Sequence, residues 1–183
     1  ALSRLSGLVF HHLLGRGRSG RVFALSEPLS SQRAKRVAGK VFSHAGKTPD
    51  AVQREHLLAR WAGTAGLGPR VLDFLQFPGS HESLPPTEVS ILVMEKMDST
   101  LRLLGAQGSL CQAMQAWKAT FDFIRNESFA YSADPTGIFG GAVGHLYCDD
   151  LKPDNILVQD DGSKDGIRVL IGDWDASHWH VLC

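Results

Sequence analysis

The apolar positions of this chain follow two different rhythms. In the first half, short runs rich in β-branched and aromatic residues stand between polar or glycine-rich breaks. They are Leu8-Val9-Phe10 with Leu13-Leu14, then Val22–Leu25, Arg36–Phe42, Val71–Phe74 and Val89–Met94. Runs of that length and make-up predict strands. One helix is predicted to open at Pro49-Asp50-Ala51, with Val52, Leu57, Leu58 and Trp61 at near-helical spacing and Gly63 near its end. A second helix is predicted over Leu110–Ile124, with Leu110, Met114, Trp117, Phe121 and Ile124 on one face. Two further strands, Ile156–Val158 and Val169–Ile171, flank the turn Asp160-Asp161-Gly162. The Ser/Pro/Gln stretch 26–33, the polar stretch Pro78–Thr87 and the Gly- and Pro-containing stretch Tyr131–Gly144 read as loops, and no internal repeat is present. The order predicts an α+β chain in two lobes, strands dominating the first and helix and polar loops the second.

Composition narrows the function classes. A length of 183 residues suits one domain or a small two-lobed one. Lys plus Arg (19) equals Asp plus Glu (19), which argues against a nucleic-acid binder, whose footprint is a basic excess. No apolar run approaches the roughly 20 residues of a membrane span. Cys111, Cys148 and Cys183 lie far apart without a Cys-x-x-Cys pair, which predicts neither a disulfide framework nor a structural zinc site and fits a reducing, cytoplasmic setting. The sequence begins at Ala1, so a removed targeting segment stays open.

Three places carry candidate chemistry. The first is Gly15-Arg16-Gly17-Arg18-Ser19-Gly20-Arg21-Val22. Glycines at this spacing let backbone N–H groups approach phosphate oxygens. In a dinucleotide-binding fold the motif runs into a helix, but here a strand follows, so the reading is a hairpin over a nucleotide, against an ordinary glycine hairpin. The second is Lys40, 20 residues after Gly20 in an otherwise apolar strand. An ammonium there wants anionic partners, and Glu55 on the following helix is the natural carboxylate.

The third is Tyr147-Cys148-Asp149-Asp150-Leu151-Lys152-Pro153-Asp154-Asn155, just before an apolar strand, with Ile171-Gly172-Asp173-Trp174-Asp175 following after a second strand. Carboxylate, ammonium and amide around one point are what phosphoryl transfer requires. Asp150 would accept the proton of an attacking hydroxyl, Lys152 would neutralise charge on the moving group, and Asn155 and Asp173 would hold magnesium, which favours oxygen ligands.

In this order the motifs resemble those of the protein-kinase superfamily, over about residues 8–177. The resemblance implies a two-lobed fold, with a β-rich N-lobe over 1–97 and a truncated helical C-lobe over 98–183. It implies ATP and Mg²⁺ as cofactors and a protein Ser/Thr hydroxyl as acceptor. Gly15, Gly17 and Gly20 would cover the phosphates, Val22 and Ala38 would contact adenine, and Lys40 would bind phosphates and pair with Glu55. The stretch 91–97 resembles the hinge, with Met94 as gatekeeper and the Glu95 carbonyl and Met97 amide on the adenine edge. Asp150 matches the catalytic base, Lys152 the loop lysine of the Ser/Thr group, and Asn155 and Asp173 the metal ligands.

The departures are specific. Cys148-Asp149 stands where the family has His-Arg, which removes the usual charge partner of a phosphorylated activation loop. Asp173-Trp174-Asp175 stands where the family has Asp-Phe-Gly, so a more fixed loop is expected. Gly39 replaces the branched residue before the lysine, and the given sequence stops ten residues after Asp173. That length corresponds either to a fragment or to a minimal kinase like those of secreted bacterial effectors and viruses, for which the substrate would be a host protein. The Trp-Asp variant also resembles small-molecule kinases of the aminoglycoside and choline type, and a non-catalytic pseudokinase or nucleotide-binding scaffold is the other alternative. His11-His12, His178 and His180, lacking spaced acidic or cysteine partners, read as surface or packing residues. Trp174 and Trp179 read as core, and Cys148 as unreactive because the adjacent aspartates disfavour its thiolate.

Overall fold

The computed structural model describes residues 8–26, 37–42, 47–77, 89–107, 110–126, 130–131, 144–160 and 167–182. The loops expected at 78–87 and over most of 26–33 and 131–144, and the turn at 161–162, lie outside these residues. The chain divides into two compact units, one of residues 1–56 and 70–96, the other of 57–69 and 97–183.

The first unit is built on an antiparallel sheet of five strands: β1 (Val9–Arg16), β2 (Gly20–Ser26), β3 (Val37–Phe42), β4 (Val71–Phe77) and β5 (Val89–Glu95), in the order β1-β2-β3-β5-β4. β5 lies between β3 and β4, and Ser90–Met94 are buried throughout, which explains its unbroken apolar run. Register separates the two faces. Phe23 pairs with Gly39, Leu25 with Val37, and Val41 and Leu75 both with Ile91. This face forms a core of Leu25, Val37, Leu75, Ile91 and Val93, with Phe23, Val41 and Phe77 packed on it. Gly39 belongs to it, and a Cβ there would stand 2.5 Å from Leu25 Cδ1, which accounts for the missing branched side chain.

The opposite face carries Val22, Lys40 and Leu92 in one row and Ala24, Ala38 and Met94 in the next. The first half of helix α1 (Pro49–Thr64) lies on it: His56 stacks on Phe74 at 4.2 Å and Glu55 meets Lys40. Thr48 opens this helix by accepting the Ala51 N–H, with Pro49 in its first turn. Past its end Gly66 adopts φ +77°, and the Leu67 N–H returns to the Ala62 carbonyl at 2.9 Å.

The second unit is α+β rather than simply helical, a correction to the expected helical C-lobe. Helix α2 (Leu101–Ala106), capped by Thr100, and helix α3 (Leu110–Asn126) accompany two small sheets. One has the order β10 (Ile167–Ile171), β9 (Ile156–Asp160), β6 (Ser99–Thr100); the other has the order β11 (Trp179–Leu182), β8 (Gly144–Cys148), β7 (Ala130–Tyr131). The sequence pattern missed β6 and β7 because two-residue strands carry no periodicity, and β8 and β11 because histidines and a tyrosine interrupt their apolar positions.

Helix α3 buries its small residues rather than its large apolar ones. Ala113, Ala116 and Thr120 are its buried face, while Met114, Trp117 and Phe121 are 63%, 45% and 67% exposed. The small residues let the helix approach β10 closely and join a core of Leu101, Ala116, Ile156, Val158 and Val169. Leu110 and Ile124 have side chains outside the described set. Among the described residues no helix is long and apolar enough to cross a membrane.

Candidate functional site

In the first unit the glycine motif is a hairpin between strands. Gly15 pairs with Val22, Arg16 with Arg21, and the Gly17 N–H donates to the Gly20 carbonyl at 2.9 Å. The motif does not lead into a helix, which removes the dinucleotide-fold alternative. Its glycines are not equivalent. A Cβ on Gly20 would collide with the backbone oxygen of Val41, whereas Cβ atoms on Gly15 or Gly17 would meet nothing within 4 Å. Gly20→Ala is therefore expected to destabilise the first unit by about 1–3 kcal/mol. Gly15→Ala and Gly17→Ala should stay within about 0.5 kcal/mol of wild type. Denaturant titration of the three variants separates these outcomes.

Lys40 reaches Glu55 Oε1 at 2.5 Å, both side chains buried, as expected. Lys47, which no motif singles out, takes the other oxygen, Oε2, also at 2.5 Å. Removing Glu55 would leave two buried ammonium groups without their shared carboxylate, the kind of loss that destabilises by several kcal/mol. Val22, Ala38 and Met94 share the sheet face of Lys40. Glu95 uses its N–H on the Arg70 carbonyl at 2.9 Å. Met97, 8% exposed, belongs to the second unit.

In the second unit the antiparallel pairing of β9 and β10 places Ile156 opposite Ile171. The residues just outside the ladder therefore meet, and the Gly172 N–H donates to the Asn155 carbonyl at 2.7 Å. Asn155 and Asp173 become neighbours through this hairpin. Asn155 Nδ2 donates to the Asp150 carbonyl at 2.9 Å and to its Oδ2 at 3.2 Å, and Lys152 Nζ lies 2.6 Å from the same Oδ2. The Lys152 hydrogen bond holds the Asp150 carboxyl below the usual carboxylate range, and Asp150 in turn raises the Lys152 ammonium, with smaller contributions from Asp173 and Asp154. Asp150, Lys152, Asn155 and Asp173 thus form one cluster.

Two tryptophans fix the Asp173 segment. Trp174, 3% exposed, stacks on Trp179 at 4.3 Å and meets the edge of Trp61 at 6.2 Å. Its Nε1 donates to the Ile171 carbonyl at 2.8 Å, and Trp179 Nε1 donates to the Asp173 carbonyl at 3.2 Å. Asp175 accepts the Ser177 N–H and hydroxyl, capping a short 3₁₀ turn, Ala176–His178. The Trp174 ring also explains Gly68, where a Cβ would stand 2.6 Å from Nε1.

Asp149 corrects the reading of the histidines. His178 Nδ1 lies 2.8 Å from Asp149 Oδ1 and His180 Nε2 lies 3.2 Å from Oδ2, so both have an acidic partner. These hydrogen bonds, His178 first, hold the Asp149 carboxyl below its usual range. The spacing from 149 to 178 conceals the pairing, which depends on β8 lying against β11. Burial pushes the Cys148 thiol up to about 11; a hydrogen bond from the Asp150 backbone N–H opposes this, and the charges of Asp149, Asp150 and Asp173 add to it, so it is not a thiolate nucleophile.

Among the described residues no three His, Cys, Asp or Glu side chains converge as a ready metal centre. Asn155 and Asp173 nonetheless fit magnesium, which takes one or two protein oxygens and completes its shell with water and substrate phosphate. With Asn155 Nδ2 directed at Asp150, its Oδ1 is the atom a cation would take. The open space at Gly15 and Gly17 and the buried lysines fit a polyphosphate. No protein-family model matches this chain, and no curated protein matches it.

Proposed function

We propose that this protein is an ATP- and Mg²⁺-dependent phosphotransferase acting on protein Ser/Thr hydroxyls. The observation that carries the reading is the Asp150–Lys152–Asn155 hydrogen-bonded cluster, set next to Asp173 by the β9–β10 hairpin. The first unit adds the glycine hairpin and the Lys40–Glu55 ion pair, the parts that would hold the nucleotide phosphates.

Asp150 Oδ2 receives the proton of the acceptor hydroxyl as that oxygen attacks phosphorus. Lys152, already hydrogen-bonded to Asp150, offers positive charge where charge develops on the transferred group. Asn155 and Asp173 would hold Mg²⁺, whose contribution is to neutralise phosphate oxygens. The buried tryptophan stack supports an Asp173 held in one arrangement.

The test is transfer of labelled γ-phosphate from ATP to a generic basic protein, wild type against Asp150→Ala. Transfer by wild type that the substitution abolishes supports the reading; equal incorporation by both would discard it.

The acid side of the pH profile gives a second check. Asp150 has a lowered pKa, so it stays ionised through the ordinary carboxylate range and is lost as base only as pH falls below about 4. Lys152→Met removes the largest cause of that lowering. The acid limb of kcat/KM should then move up towards pH 4, and a limb that stays in place would remove Lys152 from this role.

A further inference from the structure

We propose that His178 and His180 are positioning residues for Asp150: through the Asp149 carboxylate they pin the turn that carries Asp150 to the segment that carries Asp173. The inference rests on the phosphotransferase reading for the role of Asp150, and concerns residues outside the kinase-like motifs.

The contacts of Asp150 with Lys152 and Asn155 lie within one stretch of six residues. They fix the shape of that loop but not its place relative to Asp173. Two clasps do that, one at each end. At the C-terminal end the Gly172 N–H donates to the Asn155 carbonyl at 2.7 Å. At the N-terminal end Asp149 continues the β8–β11 ladder by one more pair, its N–H donating to the His178 carbonyl at 3.0 Å. Asp173 lies between the two anchoring residues, Gly172 and His178, in the sequence.

Side chains reinforce the second clasp. Tyr147 faces His180 across the ladder and Cys148 faces Trp179, so alternation puts Tyr147, Asp149 and His180 on one face and Trp179 on the other. A carboxylate only accepts, so His178 Nδ1 donates to Asp149 Oδ1 at 2.8 Å and His180 Nε2 donates to Oδ2 at 3.2 Å. Trp179, from the opposite face, donates its Nε1–H to the Asp173 carbonyl. Residues 178–180 thus grip both acidic members of the cluster, Asp173 directly and Asp150 through its neighbour Asp149. Stability does not account for the Asp149 contacts. The side chains of Asp149, His178 and His180 are 47%, 29% and 50% exposed, and pairs so exposed add little. What they supply is direction, since two donors on two oxygens fix the orientation of Asp149 and with it the start of the turn at Asp150.

The experiment compares wild type, His178→Ala/His180→Ala and His178→Asn/His180→Gln, each as the full chain. Asparagine places an amide nitrogen near the position of His178 Nδ1, and glutamine one near His180 Nε2, so the amide variant keeps both donors. Side chains this exposed tolerate substitution, so both variants should fold. One readout is the NMR signal of the Asn155 side-chain amide, which donates to Asp150 and is identified by its loss in Asn155→Asp. The other is kcat and KM for labelled transfer from ATP. In the alanine variant the Asn155 signal should move. Its kcat should fall by about ten- to a hundredfold, the scale of a misplacement near 1 Å, with KM for ATP unchanged. The amide variant should recover both readouts.

An Asn155 signal and a kcat that match wild type in the alanine variant would overturn the inference and leave the kinase reading standing. Equal losses in the two variants would also overturn it, because ring packing rather than the donors would then be what matters. If wild type transfers no phosphate, yet the Asn155 signal moves in the alanine variant and returns in the amide variant, the clasp is supported and the kinase reading falls.

Discussion

Asp150→Asn is expected to lower phosphoryl transfer by about 10²–10⁴-fold, the usual range for a lost general base, while nucleotide binding persists. The asparagine keeps the size of the side chain and one oxygen for Lys152 and Asn155, which now hydrogen-bond to Asp150 Oδ2. It loses the ability to take a proton. Binding should survive because the glycine hairpin and the Lys40–Glu55 pair belong to the other unit. A saturating nucleotide at a hundred times its Kd raises stability by about 2.7 kcal/mol, so the thermal shift of the variant can be read directly against wild type. A variant that transfers phosphate at the wild-type rate would remove Asp150 from the chemistry. A wild type that binds ATP but transfers to no acceptor would leave a nucleotide-binding scaffold.

Trp174→Ala is expected to be the most damaging single change in the second unit. The ring is 3% exposed and packs against Trp179, Trp61 and the surface left by Gly68. Emptying a site of that size costs about 3–5 kcal/mol, or a drop in melting midpoint of roughly ten degrees for a chain of this length. Activity should fall further than stability, because the same stack holds the backbone that bears Asp173. Trp174→Phe keeps the ring contacts and loses the hydrogen bond to the Ile171 carbonyl, so it should cost about 1 kcal/mol and keep most transfer. Calorimetry of the three proteins decides the matter, and a Trp174→Ala protein melting with wild type would show that the stack is not what holds this segment.

The parts of the fold that were legible in the sequence are those where burial acts on a whole run of residues. β2, β3, β5, β9 and β10 each carry a short stretch rich in apolar residues, and the Pro49-Asp50-Ala51 start of α1 is a local signal. In helix α3 the largest apolar residues mark one face, but not the buried one. Its contact is a close approach that the small side chains of Ala113, Ala116 and Thr120 permit. The grouping of Asp150, Lys152 and Asn155 could be read from spacing because they lie within six consecutive residues. Lys47 and the Asp149–His178–His180 contacts could not, since each depends on where a distant or separately folded segment is brought. Alternation at 178 and 180 was a weak signal of a shared face, and nothing pointed to Asp149 as its partner.

The β9–β10 hairpin has a consequence for how the cluster survives local opening. Asn155 and Asp173 are eighteen residues apart, and six residues separate Asp160 from its ladder partner Ile167, so little chain entropy opposes re-forming the ladder. A hairpin of this kind closes in about 1–10 µs. The pairing of β6 with β9 spans a far longer stretch, Ser99 lying opposite Val158, and is the costlier one to restore. Amide protons of Leu157 and Leu170, which face each other across the β9–β10 ladder, should therefore exchange more slowly than those of Val158 and Ser99, which face across the β6 pairing. In openings that detach β6 alone, the backbone bearing the two oxygen donors keeps its alignment, and magnesium with nucleotide would find its ligands already side by side.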